Sequence, residues 1–167
     1  MNKHKTKYFG EIELSIEQDG SFADFDTIYN GQEITISLSD YKIYGDKLKL
    51  CWEIIDKYIE INEIAKNAII EYFDKNENIK YYFKCHFEDI LDEEEIIEIF
   101  GVKSFKKMNI KKVVEKMEFP NLLFGIKNGI IDFSVDYMVS KEYSDEILCV
   151  RMDEKLNVTD FTHESWK

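Results

Sequence analysis

The chain has little of what marks a linker, a secreted scaffold or a membrane span. One proline, Pro120, and seven glycines are spread over 167 residues, so no Pro- or Gly-rich stretch divides it. A single α+β domain over 1–167 is expected, with residues 1–7 flexible. The three cysteines, Cys51, Cys85 and Cys149, are odd in number, far apart and without a CxxC. A small secreted domain more often carries an even disulfide framework. These three read instead as small buried residues. No apolar run reaches the ~18–20 residues that span a bilayer. No signal-peptide core follows Met1–Lys7. A cytoplasmic protein is expected.

Basic charge is also scarce. Lys and Arg total 22 against 34 Asp and Glu, for a net charge of −12, and Arg151 is the single arginine. Such a chain repels nucleic-acid backbones and anionic membranes. Solubility accounts for the charge, and so does steering towards a basic protein partner. Aromatics are plentiful, with 12 Phe, 10 Tyr and 2 Trp. They supply a sizeable core.

Hydrophobic period sets the elements. Glu11–Glu17 and Glu33–Ser39 alternate as half-buried strands, with Phe22–Tyr29 between them. Asp19-Gly20 and Asn30-Gly31 supply turns, the second of type I′. A three-stranded antiparallel meander is predicted here. Helices follow from about Asp46 to Tyr58, then to Phe73 after a junction near Glu60–Asn62. Asn76 or Asn78 can cap the next helix, whose stripe is Ile79, Tyr82, Phe83, His86, Phe87, Ile90 and Leu91. Glu93–Phe100 is a shorter helix stopped by Gly101. Asn109 caps a last one, ended by Pro120. Leu122–Ile126, Asn128-Gly129, Ile131–Val139, Ile147–Met152 and Val158–His163 then predict a four-stranded C-terminal meander. The fold class is α+β, with the helices packed on one sheet face.

Several of these segments resemble a known family. They are Tyr8-Phe9-Gly10-Glu11-Ile12-Glu13-Leu14, Tyr29-Asn30-Gly31-Gln32-Glu33-Ile34, Ala65-Lys66-Asn67-Ala68-Ile69, Asp136-Tyr137 and Leu148-Cys149-Val150-Arg151-Met152-Asp153. The resemblance is to a bacterial family catalogued only as a domain of unknown function, number two thousand and four in that series. It covers nearly the whole chain and implies a small acidic protein with no assigned activity, cofactor or catalytic residue. In size and charge such proteins are similar to the immunity proteins of bacterial toxin systems.

The residues themselves offer few chemical constellations. Asp132 and Asp136 share one face of one strand about 13 Å apart. Paired glycosidase carboxylates sit about 5–10 Å apart, so a solvated sheet face is the better reading. Asp92-Glu93-Glu94-Glu95 lacks the spaced ligands and glycine of a calcium loop and reads as an acidic helix N-terminus. Cys85 and His86 are neighbours, pointing about 100° apart on a helix, a poor start for a metal site. His86 lies in an apolar stripe and reads as a packed, hydrogen-bonded histidine. A nucleophile and base could still assemble from distant residues such as Cys85 and His163. HExxH, GxSxG and a phosphate-cradling glycine loop are missing. Catalytic, cofactor and metal residues are therefore assigned to none.

Lys103, Lys106, Lys107, Lys111, Lys112 and Lys116 form a basic segment directly after the acidic one. It reads as the wet face of a helix, or as a dock for the protein's own Asp89–Glu98. The expected function is a protein-interaction module, such as an immunity-type protein, that binds a basic partner. Its contacts would be Asp89, Asp92, Glu93, Glu94, Glu95 and Glu98. No nucleic-acid or membrane partner is expected, and the chain would be a monomer or homodimer. A hydrolase-like enzyme with an unrecognised site and a self-associating structural protein are the alternatives.

Overall fold

The computed structural model describes residues 2–14, 23–38 and 43–165. The Asp19-Gly20 turn and the strand ends predicted at 15–17, 22 and 39 lie outside them. The class is α+β, with five α-helices and a mostly antiparallel sheet. The strand grouping differs from the expected one. Strands β1 (Asn2–Lys5) and β2 (Glu11–Leu14) form a separate two-stranded sheet. Residues 2–5 thus pair with the strand predicted to begin the first meander.

Strands β3 (Ala23–Tyr29) and β4 (Gln32–Leu38) form a hairpin, as Asn30-Gly31 dictates. Both turn residues have positive φ, 50° and 79°. The hairpin does not stand alone. β4 lies parallel to β5 (Glu118–Lys127), with Thr35 opposite Asn121 and Leu38 opposite Phe124. Strands β6 (Ile130–Met138), β7 (Glu146–Asp153) and β8 (Val158–Ser165) continue antiparallel. One mixed six-stranded sheet results, in the order β3-β4-β5-β6-β7-β8. Pro120 falls within β5, where the register shifts between Glu118 and Asn121, because proline has no N–H to give a ladder.

Between β4 and β5 the chain is helical: α1 (Asp46–Ile55), α2 (Tyr58–Tyr72), α3 (Glu77–Cys85), α4 (Glu93–Phe100) and α5 (Ile110–Lys116). The α1–α2 break falls at Asp56-Lys57, earlier than the sequence suggested. Local signals explain the other ends. The Asn76 side chain accepts from Asn78 and Ile79 N–H and caps α3. The Asn109 side chain caps α5. Gly101 ends α4 at φ 70°.

Buried side chains of all five helices join the inner sheet face in one core. Ile61, Ile69, Phe83 and Val114 meet Leu122, Phe133, Val135 and Val150, and all eight are essentially inaccessible to solvent. Polar ties fix helices to strands. Tyr137 Oη donates to Asn62 Oδ1 at 2.7 Å. Asn78 Nδ2 donates to the Phe161 carbonyl at 2.8 Å. The Tyr82 hydroxyl accepts the Val139 N–H at 3.0 Å. The β1–β2 hairpin closes the near end. Phe9 packs edge-on against Tyr29 and Tyr58, and His4 stacks on Trp52. The Lys7 N–H donates to Asp56 at 2.7 Å.

Phe83→Ala should cost about 3–5 kcal/mol, because the collapse of so enclosed a site is only partial. Lys84→Ala, on the solvent side of α3, should stay within about 0.5 kcal/mol. Urea denaturation of both variants checks the assignment of the α3 faces.

Candidate functional site

The acidic stretch from Asp89 to Glu98 is largely committed to its own helix. Asp92 caps α4, its side chain accepting from the Glu94 and Glu95 N–H groups at 2.9 Å. The Glu95 carboxylate returns the favour to the Asp92 N–H, completing a capping box. Glu93 pairs with Lys103. Glu98 accepts from the Tyr143 hydroxyl at 3.4 Å. Asp89 and Glu94 are exposed. Of the lysine-rich segment, Lys103 contacts the acidic stretch, while Lys112 and Lys116 line a groove of about 270 Å³ that also includes Glu98.

His86 is buried within an unexpected irregularity. The chain leaves α3 through a π-turn, His86–Ile90, in which the Leu91 N–H reaches the His86 carbonyl. His86 Nδ1 lies 2.6 Å from the Tyr82 carbonyl, an acceptor only, so Nδ1 carries the proton. Nε2 must then accept from Ser144 Oγ at 2.8 Å. This is the relation that primes a serine nucleophile. Here Ser144 Oγ also accepts the Glu146 N–H at 3.1 Å, and the residue is 5% exposed. The pair serves to fasten the β6–β7 loop to α3.

The three thiols are likewise structural. All are buried and free, and burial pushes those of Cys51 and Cys85 up to about 12. Cys85 donates to the Tyr82 carbonyl at 3.0 Å and sits 3.8 Å from His86 Nδ1, closer than regular helical spacing suggested. His163 bonds the Glu146 carboxylate instead of meeting Cys85. Among the described residues no three His, Cys, Asp or Glu side chains are grouped to hold a metal ion. No helix among them is long and apolar enough to cross a membrane.

The outer sheet face, away from the helices, gathers the features that sequence missed. Strand alternation points Asp24 and Asp26 of β3, Glu33 of β4, Asp132 and Asp136 of β6, Asp153 of β7, and Asp160 and Glu164 of β8 to this side. Among the described strand residues here, Arg151 and Lys127 are the cations. Ile28, Leu123 and Ile130 on the same side are 69%, 39% and 52% exposed. A continuous row of cross-strand partners crosses the face: Asp26, Thr35, Asn121, Asp136, Cys149 and Thr162. Thr35 Oγ1 donates to Asp26 at 2.7 Å.

Asp136, near the middle of that row, overturns the solvated reading of its strand face. It is 7% exposed, beside a small buried cluster of Met138, Ile147 and Cys149. Burial raises its carboxyl pKa above the usual range, against the opposing pull of Cys149, Ser134 and Asn121, and Glu164 adds repulsion. Its Oδ1 meets no hydrogen-bond donor. An orphaned buried acceptor costs about 1–3 kcal/mol. Asp132, by contrast, is partly exposed and bonds Arg151 at 3.4 Å. No sequence signal separates the two, because alternation gives the face and not the height of the neighbours. The chain matches no protein-family model, no curated protein and no solved structure.

Two outcomes follow from these contacts. Burial lowers the His86 pKa from 6.5 to about 4, so the unfolded chain takes a proton that the folded one refuses. Stability from this group is complete above pH 6.5 and falls by about 3 kcal/mol as pH drops through that interval. Wild type and His86→Gln should therefore differ most at pH 7 and converge near pH 4 in urea titrations. Asp92→Ala should cost about 1 kcal/mol through loss of the cap, and Glu94→Ala less than about 0.5 kcal/mol.

Proposed function

We propose that this protein is an acidic protein-binding module that docks a basic partner on the outer face of its six-stranded sheet. The observation that carries the reading is the charge of that face. Helices enclose the inner face, whereas the outer one presents carboxylates from β3, β4, β6, β7 and β8 with few cations among them. Exposed Ile28, Leu123 and Ile130 add apolar contact between the charges. Such a surface favours fast, salt-sensitive association with a positively charged protein.

The stretch Asp89–Glu98 is the weaker candidate surface, since Asp92 and Glu95 hold the α4 cap and Glu93 holds Lys103. Its exposed members, Asp89 and Glu94, extend the negative field. An immunity-type protein, which masks a basic effector, fits this size and charge. Membership in the family of unknown function noted above belongs to the same proposal. A hydrolase-like reading has the Ser144–His86 contact in its favour. The burial of both groups, and the second bond to Ser144 Oγ, weigh against it.

Nona-arginine and nona-lysine peptides serve as probes of the face. In ¹H–¹⁵N spectra, shifts should gather on β3–β8 rather than at Asp89–Glu98. Asp26→Lys with Glu33→Lys should weaken both peptides roughly tenfold at low salt and flatten the salt dependence. Shifts confined to α4, or unchanged affinity, would place the docking surface elsewhere.

A further inference from the structure

The docking face contains one buried carboxyl with an acceptor left over, Asp136 Oδ1. Asp136 is more than nine-tenths buried, and its Oδ1 is the buried side-chain atom, among the described residues, that lacks a hydrogen-bond partner. Native structures rarely keep such an atom without a use for it. Strand alternation aims it at the outer face, between inward-pointing Val135 and Tyr137. Exposed carboxylates stand on both sides of it, Asp26 along the row and Glu164 on β8.

The surroundings select the missing donor. Met138 and Ile147 form an apolar rim at one side, and Leu123, partly exposed, stands at another. A ligand that fills this place needs an apolar stem and a donor-rich cationic head. Both long basic side chains have such a stem. The guanidinium, planar and less strongly hydrated than an ammonium, is the better head for a buried carboxylate. We infer that Asp136 anchors an arginine side chain of the basic partner, whose guanidinium donates to Oδ1 while its stem lies along Met138 and Ile147. Oδ1 is sealed from solvent in the free protein, so the rim must part, and Leu123 is its most exposed member. This inference rests on the docking surface proposed above.

The test compares Asp136→Asn with wild type using the same two peptides and the free protein. The variant should bind nona-arginine roughly tenfold more weakly, while nona-lysine changes less than about twofold. The free variant should melt at a higher temperature at pH 7, because burial disfavours the carboxylate and the amide carries no charge to desolvate. Equal losses for both peptides, no loss for either, or a lower melting temperature would each overturn the anchor. The two proposals fail differently. If Asp26→Lys with Glu33→Lys weakens both peptides and Asp136→Asn weakens neither, the docking face stands and the anchor falls. If the charge reversals change nothing, the face is wrong and the anchor falls with it.

Discussion

The parallel pairing of β4 with β5 is the constraint from which the rest of the architecture follows. Adjacent parallel strands cannot be joined by a turn; the chain must travel back the length of the sheet before it re-enters. Leu38 ends one strand and Glu118 begins the other, and all five helices lie between them. Both ends of the helical block are thereby fixed beside the same two strands. Its apolar stripes are satisfied by one sheet face, which becomes the core. The five described helices leave the opposite face its charges.

Local chemistry was legible in the sequence and distant pairing was not. Asn30-Gly31 and Asn128-Gly129 announced two hairpins because few residues tolerate positive φ at consecutive positions. Asn76, Asn109 and Gly101 marked helix ends through bonds spanning two to four residues. By contrast, β2 was assigned to the wrong neighbour. Its alternation shows that it is half-buried without saying which strand lies alongside. The β4–β5 pairing joins Thr35 to Asn121, and no periodicity reports a partner so far away. His86 was readable as a packed histidine, yet Ser144, 58 positions on, was not readable as its partner.

The carboxylates show how one residue type takes different duties according to its surroundings. Asp92 sits where unpaired helix N–H groups need an acceptor, and it becomes a structural cap. Asp153 accepts from the Asn157 side-chain amide and from the Asn157 and Lys155 N–H groups, bonds that shape the β7–β8 turn and hold its pKa below the usual carboxylate value. Asp26 and Glu33 stand in solvent and contribute field. Asp136 is crowded by neighbours and stands apart from the other three. Counting acidic residues along the chain singled out Asp89–Glu98 as the densest run. Counting those left without a structural duty shifts attention to the sheet.

An open sheet has two rims, and here they are β3 and β8. Among the described residues neither has a strand beyond it, and such an edge invites stacking of one molecule on another. β3 carries Asp24 and Asp26, and β8 carries Asp160 and Glu164, all exposed. Two copies brought rim to rim would crowd like charges together. The acidity of these strands thus also opposes edge-to-edge stacking of identical chains.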